Sequence, residues 1–297
     1  MIAVAAPAKI NLTLHVLGRR ADGYHELDSL VAFASLHDVL RAAPAQVLSL
    51  TVGGPTAGAL ATTPQADNLV MRAARALAAS AGIVAPVAAL ALDKHLPVAG
   101  GIGGGSADAA AALLALVRLW RLDISDTALA RVALSLGADV PVCLASKPMA
   151  MTGIGERLVA APALPPLGIL LANPRIALPT AEVFAALNGR FGAPTPLRYV
   201  ANDAAALIAA LQGSRNDLEA PARRIAPVIG DLLAVLSALP GARLARMSGS
   251  GATCYALFDD EAAAIKAEPA LNGARRGWWS AAGRLIGGRD EITPQSA

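Results

Sequence analysis

The chain has 297 residues, 55% of them hydrophobic and 3% aromatic, with a formal net charge of +3. That length buries a large aliphatic core and allows one or two domains. Lysine and arginine are scattered without interleaved aromatics, which weighs against nucleic acid as a partner.

Met1 to Pro7 lacks a basic leader region, so no signal peptide is expected. The uncharged stretch 158–174 is too short and too broken by proline to span a bilayer. Cys143 and Cys254 are far apart and lack metal-ligand spacing. They read as buried thiols of a reducing compartment, and a cytoplasmic location is expected.

From Ala8 to Leu17 the chain alternates. Ile10, Leu12, Leu14 and Val16 face one way and Lys9, Asn11, Thr13 and His15 the other, as on a half-exposed strand. A polar loop follows from Gly18 to Leu27, whose charges and Tyr24-His25 either meet a ligand or are simply solvated. Strands are expected over 27–40 and 46–52, with loop over 53–64. Asp67 or Asn68 caps a helix that Gly82 stops. A short strand over 88–92 leads through Lys94 into a glycine loop.

That loop reads Pro97-Val98-Ala99-Gly100-Gly101-Ile102-Gly103-Gly104-Gly105-Ser106-Ala107-Asp108, and an alanine-rich helix follows it. Glycine lets backbone adopt unusual dihedrals and approach other groups closely. Ser106 stands where an N-cap is expected. A glycine loop entering a helix offers free N–H groups and the positive end of the helix dipole to a phosphate. No lysine follows the glycines as in a P-loop, and the Gly-x-Gly-x-x-Gly spacing fails at Ser106 and Asp108.

Ser125-Asp126 caps a further helix ended by Gly137. Asp139 then sits between a helix stop and an apolar segment expected as strand, either a turn aspartate or a site residue. A strand pair is expected over 149–158 and a boundary at the prolines of 161–166. Helices follow from Pro179-Thr180, from Asn216 and over 227–239. The Ser248-Gly249-Ser250-Gly251 turn between two strands is either a hairpin or a second close approach to an anion. Trp278 to Ile286 reads as a final edge strand, with a frayed tail over 288–297. Strands come in pairs and helices in groups, which favours an α+β fold.

Six segments together resemble the GHMP kinases, the small-molecule kinases named for galactose, homoserine, mevalonate and phosphomevalonate. They are Pro7-Ala8-Lys9-Ile10-Asn11-Leu12, Arg20-Ala21-Asp22-Gly23-Tyr24-His25, Asp67-Asn68-Leu69, the glycine loop, Leu136-Gly137-Ala138-Asp139-Val140-Pro141 and Ser248-Gly249-Ser250-Gly251-Ala252. The loop departs from the usual Gly-Ser-Ser-Ala ending and keeps only its first serine, Ser106. The segment from Arg20 to His25 argues against the homoserine and mevalonate branches, and is similar to the branch acting on a cytidyl diphosphate-linked methylerythritol.

The resemblance implies a two-domain α+β fold, 1–160 and 161–287, with the active site in the interdomain cleft. It implies ATP and Mg²⁺ as cofactors and phosphorylation of a 2-hydroxyl on a small alcohol. By position Asp139 resembles the catalytic base and Lys9 its partner. A carboxylate can take the proton of an attacking alcohol, and a neighbouring lysine favours the charged carboxylate. Residues 97–107, with Asn68 and Lys94, are expected at the nucleotide. Asn11, Tyr24, His25, Thr180, Phe184 and the Ser248–Gly251 turn are expected at the acceptor, with Tyr24, His25 and Phe184 around its cytosine. Metal ligands are left unassigned, and the oligomeric state stays open between monomer and homodimer. A non-catalytic scaffold protein is disfavoured because Lys9 and Asp139 are both present.

Overall fold

The computed structural model describes residues 1–193, 203–274 and 277–292. The chain opens with β1 (Ile2–Asn11), β2 (His15–Arg19), the long β3 (His25–Ala43) and β4 (Leu48–Gly53). Helix α1 (Leu69–Ser80), β5 (Ala88–Asp93), α2 (Gly104–Leu119), α3 (Asp126–Leu136) and α4 (Val140–Ala145) follow. Then come β6 (Met149–Gly153), β7 (Arg157–Ala160) and β8 (Gly168–Asn173). The later part holds α5 (Thr180–Ala185), α6 (Ala204–Gln212), α7 (Glu219–Ile225) and α8 (Val228–Ser237). It closes with β9 (Leu244–Met247), β10 (Cys254–Phe258), α9 (Glu261–Ala274) and β11 (Trp279–Ile286).

The strands join in one sheet ordered β4-β5-β3-β11-β8-β10-β9, with β1, β2 and β6 also on β3 and β7 on β6. Every pairing is antiparallel except β4 with β5. Helices are grouped rather than alternating with strands, so the fold is α+β. One apolar cluster packs α1 to α4 on β1 and β3, and a second packs α5 and α7 to α9 on β8 to β10. A third gathers Ala8 and Ile10 of β1 and Leu12 just after it with Leu167, Ile169 and Leu171 around β8. No helix among the described residues is long and apolar enough to cross a membrane.

Helix α2 explains its own composition. Ala107 and Ala109 to Ala112 are all fully buried, so the helix is enclosed by its neighbours. Alanine keeps helix propensity high while letting β1 and α1 come close.

Four expectations need correction. The alternating strand of 8–17 is broken between Asn11 and His15, and its polar face is not exposed: Lys9, Asn11, Thr13 and His15 are all buried. The apolar segment after Asp139 is helical, not a strand; Pro141 sits in its first turn, where proline costs no hydrogen bond, and Val140, Val142 and Cys143 are buried. Strand β11 is no edge: it lies between β8 and β3, with Trp279 opposite Asn173 and Ile286 opposite Phe33. The expected frayed tail is ordered through Ile292. Glu291 accepts from Arg284 and from the Gly287 N–H, and Arg289 Nη2 donates to the Cys143 carbonyl and Ser146 Oγ, each at 2.6 Å. Residues 293–297 of that expectation lie outside the described ones.

Candidate active site

The glycine loop is held by its carbonyls. Gly100 O accepts from Thr253 N at 3.0 Å, Gly101 O from Ser248 Oγ at 3.2 Å, and Ile102 O from Lys9 N at 2.9 Å. Glycine is required at two of these positions. Gly101 has φ +75°, and a Cβ there would lie 2.6 Å from the carbonyl oxygens of Ser248 and Gly251. Gly103 has φ +62°, and a Cβ there would press on Lys9. The helix starts earlier than its sequence suggests. Gly103, not Ser106, is the N-cap, and no side chain caps the first N–H groups of α2. Those groups, at Gly104, Gly105 and Ser106, have no partner within the helix and sit at the positive end of its dipole.

Beside the loop, Lys9 Nζ donates to Asp139 Oδ2 at 2.6 Å. Lys9 is buried and the Asp139 side chain is 36% exposed, so the carboxylate faces the cleft from an enclosed partner. Asp139 is the N-cap residue of α4, yet its side chain makes no cap bond; the carboxylate is left for Lys9. Asn11, two residues along β1, donates Nδ2 to Ser29 Oγ at 2.8 Å, and its Oδ1 is buried without a partner.

Lys94 lies beneath the loop. Its ammonium donates to Asp38 Oδ2 at 2.5 Å and to Asp108 Oδ2 at 2.7 Å, all three residues being buried. Asp38 Oδ1 also accepts the N–H groups of His95 and Leu96, at 2.6 and 2.9 Å. Burial opposes the Lys94 charge, but the two carboxylates together hold its pKa above the usual lysine value. Burial pushes the Asp108 carboxyl up to about 7 against the pull of Lys94. The charge of Lys94, expected at the nucleotide, is therefore compensated within the protein.

A different set of side chains comes from β3, α5 and the loops beside them. The His25 and Phe184 rings stack with centroids 4.8 Å apart, and Phe191 is tilted against His25 at 6.1 Å. Tyr24 is 60% exposed beside them. Burial, then the Arg19 charge, lowers the His25 pKa, so its imidazole is neutral at pH 7. Thr180 Oγ1 and Ser250 Oγ are hydrogen-bonded at 2.8 Å.

Lys9, Asn11, Tyr24, His25, Lys94, Asp108, Asp139, Thr180, Phe184, Phe191 and Ser250 line one cleft of about 1500 Å³. Of the residues expected there, Lys9, Asn11, Tyr24, His25, Asn68, Lys94, Val98 to Gly101, Gly103 to Ser106, Asp139, Thr180, Phe184, Gly249 and Ser250 line it. Asn68 also caps α1 through Val70 N. Pro97, Ile102, Ala107, Ser248 and Gly251 do not line it. Ile102 and Ala107 are core, and Ser248 is fully buried, accepting from Asn11 N at 3.1 Å and bracing Gly101. The Ser248–Gly251 turn makes a close approach to the glycine loop backbone. Asp67, Asp108 and Phe191 line it without having been expected there, and Arg19 is one of the loop charges left open between ligand and solvent. A carboxylate in the apolar run of β3, Asp38, was the one available signal of the Lys94 cluster.

The family model for the GHMP kinases N-terminal domain matches residues 68–147, and that for the GHMP kinases C-terminal domain matches 199–275. A 4-diphosphocytidyl-2-C-methyl-D-erythritol kinase of Rhodospirillum rubrum is 54% identical over 95% of this chain and 92% of its own length. The protein of that name from Methylobacterium radiotolerans is 55% identical over 95% of this chain and 98% of its own. A crystal structure of 4-(cytidine 5'-diphospho)-2C-methyl-D-erythritol kinase superposes with a TM-score of 0.78 at 36% identity, over 97% of this chain and all of that one. Near-full-length identity of this order, on a cleft built around a glycine loop, places the chain: it belongs to the GHMP kinases and, within them, to the 4-diphosphocytidyl-2-C-methyl-D-erythritol kinase family.

Proposed function

We propose that the chain transfers the γ-phosphate of ATP to the 2-hydroxyl of the methylerythritol moiety of 4-diphosphocytidyl-2-C-methyl-D-erythritol, giving ADP and the 2-phosphate. The observation that carries this reading is the Lys9–Asp139 pair at 2.6 Å, set in one cleft with a glycine loop and an aromatic cluster.

Asp139 is the base. Its carboxylate takes the proton of the attacking hydroxyl as the new P–O bond forms, and Lys9 holds it in place and favours the developing alkoxide. The free N–H groups at the head of α2 receive the phosphates, so most of the acceleration is positioning and charge neutralisation. The unpartnered Asn11 Oδ1 accepts a hydrogen bond from an acceptor hydroxyl. The contact between His25 and Phe184 leaves no slot between them. The cytosine therefore packs on the open side of the cluster, beside Tyr24.

Among the described residues no three His, Cys, Asp or Glu side chains gather as a metal site. The Ser106 hydroxyl, which lines the cleft at the head of α2, would be the protein oxygen nearest a phosphate-bound Mg²⁺. When bound, Mg²⁺ supplies further charge neutralisation of the triphosphate. Cys143 and Cys254 are free and buried, which suits the cytoplasm.

The test is ADP release with ATP and Mg²⁺, with and without the cytidyl acceptor. Release that requires the acceptor, with a product heavier by one phosphate, is expected. Release with homoserine or mevalonate instead would overturn the substrate.

A further inference from the structure

A cleft that takes both a nucleoside triphosphate and a diphosphate-linked acceptor gathers a large negative charge. The cations lining it are Lys9, Arg19 and Lys94, since His25 is neutral. Lys9 is committed to Asp139, and Lys94 to Asp38 and Asp108. Arg19 alone of the three has no ion pair or side-chain hydrogen bond among the described residues. Its neighbour Arg20 is paired with Asp22 and Glu26 instead.

Arg19 is also well placed. It ends β2 directly opposite His25 on β3. Directly opposed residues of an antiparallel pair share a face of the sheet. His25 is the residue stacked on Phe184, so a ligand ring seated at that cluster brings its phosphoryl substituents within reach of a guanidinium. Arginine matches phosphate oxygens with two parallel N–H donors, which lysine cannot do.

Resting on the reading above, we propose that Arg19 is the specificity-determining cation of the acceptor site, binding the diphosphate that joins cytidine to the polyol. It selects acceptors that carry that charge and takes no part in phosphoryl transfer.

The test is titration of CDP and of cytidine into the protein, with the nucleotide side filled by a non-hydrolysable ATP analogue. The wild type is expected to bind CDP more tightly than cytidine, and more so at low salt. Arg19→Gln is expected to weaken CDP about tenfold, leave cytidine unchanged and flatten the salt dependence. Arg19→Lys should recover part of the loss. In turnover with the cytidyl acceptor, KM rises by a similar factor while kcat and the KM for ATP hold. Equal affinity of the wild type for CDP and cytidine, or an unchanged CDP affinity in Arg19→Gln, overturns the proposal. CDP binding that depends on Arg19, in a protein that does not phosphorylate the cytidyl acceptor, would support the anion site while rejecting the substrate.

Discussion

The two sides of the cleft are built on opposite principles. On the side proposed for the nucleotide both lysines are buried and answered within the protein, Lys9 by Asp139 and Lys94 by Asp38 and Asp108. Three loop carbonyls are tied down as well. On the acceptor side Tyr24 is largely exposed and Arg19 is unpaired among the described residues. Groups that act on the transferring phosphoryl must already be in position when charge develops, so their own interactions are completed in advance. Groups that recognise a ligand are left incomplete, so that the ligand completes them.

The contrast can be broken most severely at Asp139. Asp139→Asn should lower kcat by about 10³-fold while the affinity for ATP changes by less than about twofold, as single-turnover and binding measurements would report. Turnover within tenfold of wild type would remove Asp139 from the role of base. Asp38→Ala should cost stability rather than chemistry. It strips Lys94 of one carboxylate and orphans the His95 and Leu96 N–H groups, a loss of about 3–5 kcal/mol in urea unfolding. A loss below about 1 kcal/mol would mean the cluster is not structural.

On the acceptor side, Phe184→Ala should raise KM for the cytidyl acceptor about fivefold to tenfold with kcat kept. An unchanged KM would make Phe184 a packing residue. The smallest effect sharpens the comparison through pH. The Asp108 carboxyl titrates near 7 in the folded protein and near 3.8 when unfolded, so the folded state holds the extra proton between those values. Stability from this group is present below about pH 4 and is lost as pH rises to about 7. Asp108→Asn should flatten the fall in Tm across that window. A wild-type-like slope in the variant would place the titration elsewhere.

What the sequence revealed was local. Alternation placed Lys9 and Asn11 together on one strand face, the run of glycines marked the loop before α2, and the cap of α1 was narrowed to Asp67 or Asn68, of which the structure selects Asn68. These signals act over a few residues, within one element. The hidden features pair distant segments. Lys94 meets Asp38 across 56 residues, and Arg289 meets Cys143 across 146, with nothing in either neighbourhood to announce the partner. The polar face of β1 looked solvated because period-two alternation reports sidedness and not what covers the side. The segment after Asp139 looked like a strand because its valines favour one, and packing against α2 overrode that preference.

The placement of β11 has a consequence for how this chain is made. The strand that lies between β3 and β8 is synthesised after both of them, and the Arg284 N–H reaches Ser35 Oγ across 249 residues. Until it leaves the ribosome, β3 and β8 each present an unfilled hydrogen-bonding edge to the cell. The sheet therefore closes only once Trp279–Ile286 has been made, through contacts of very high sequence separation, which makes that closure slow. A chain that stalls before Trp279 would hold every residue of the glycine loop and none of the strand that joins the two parts of the sheet.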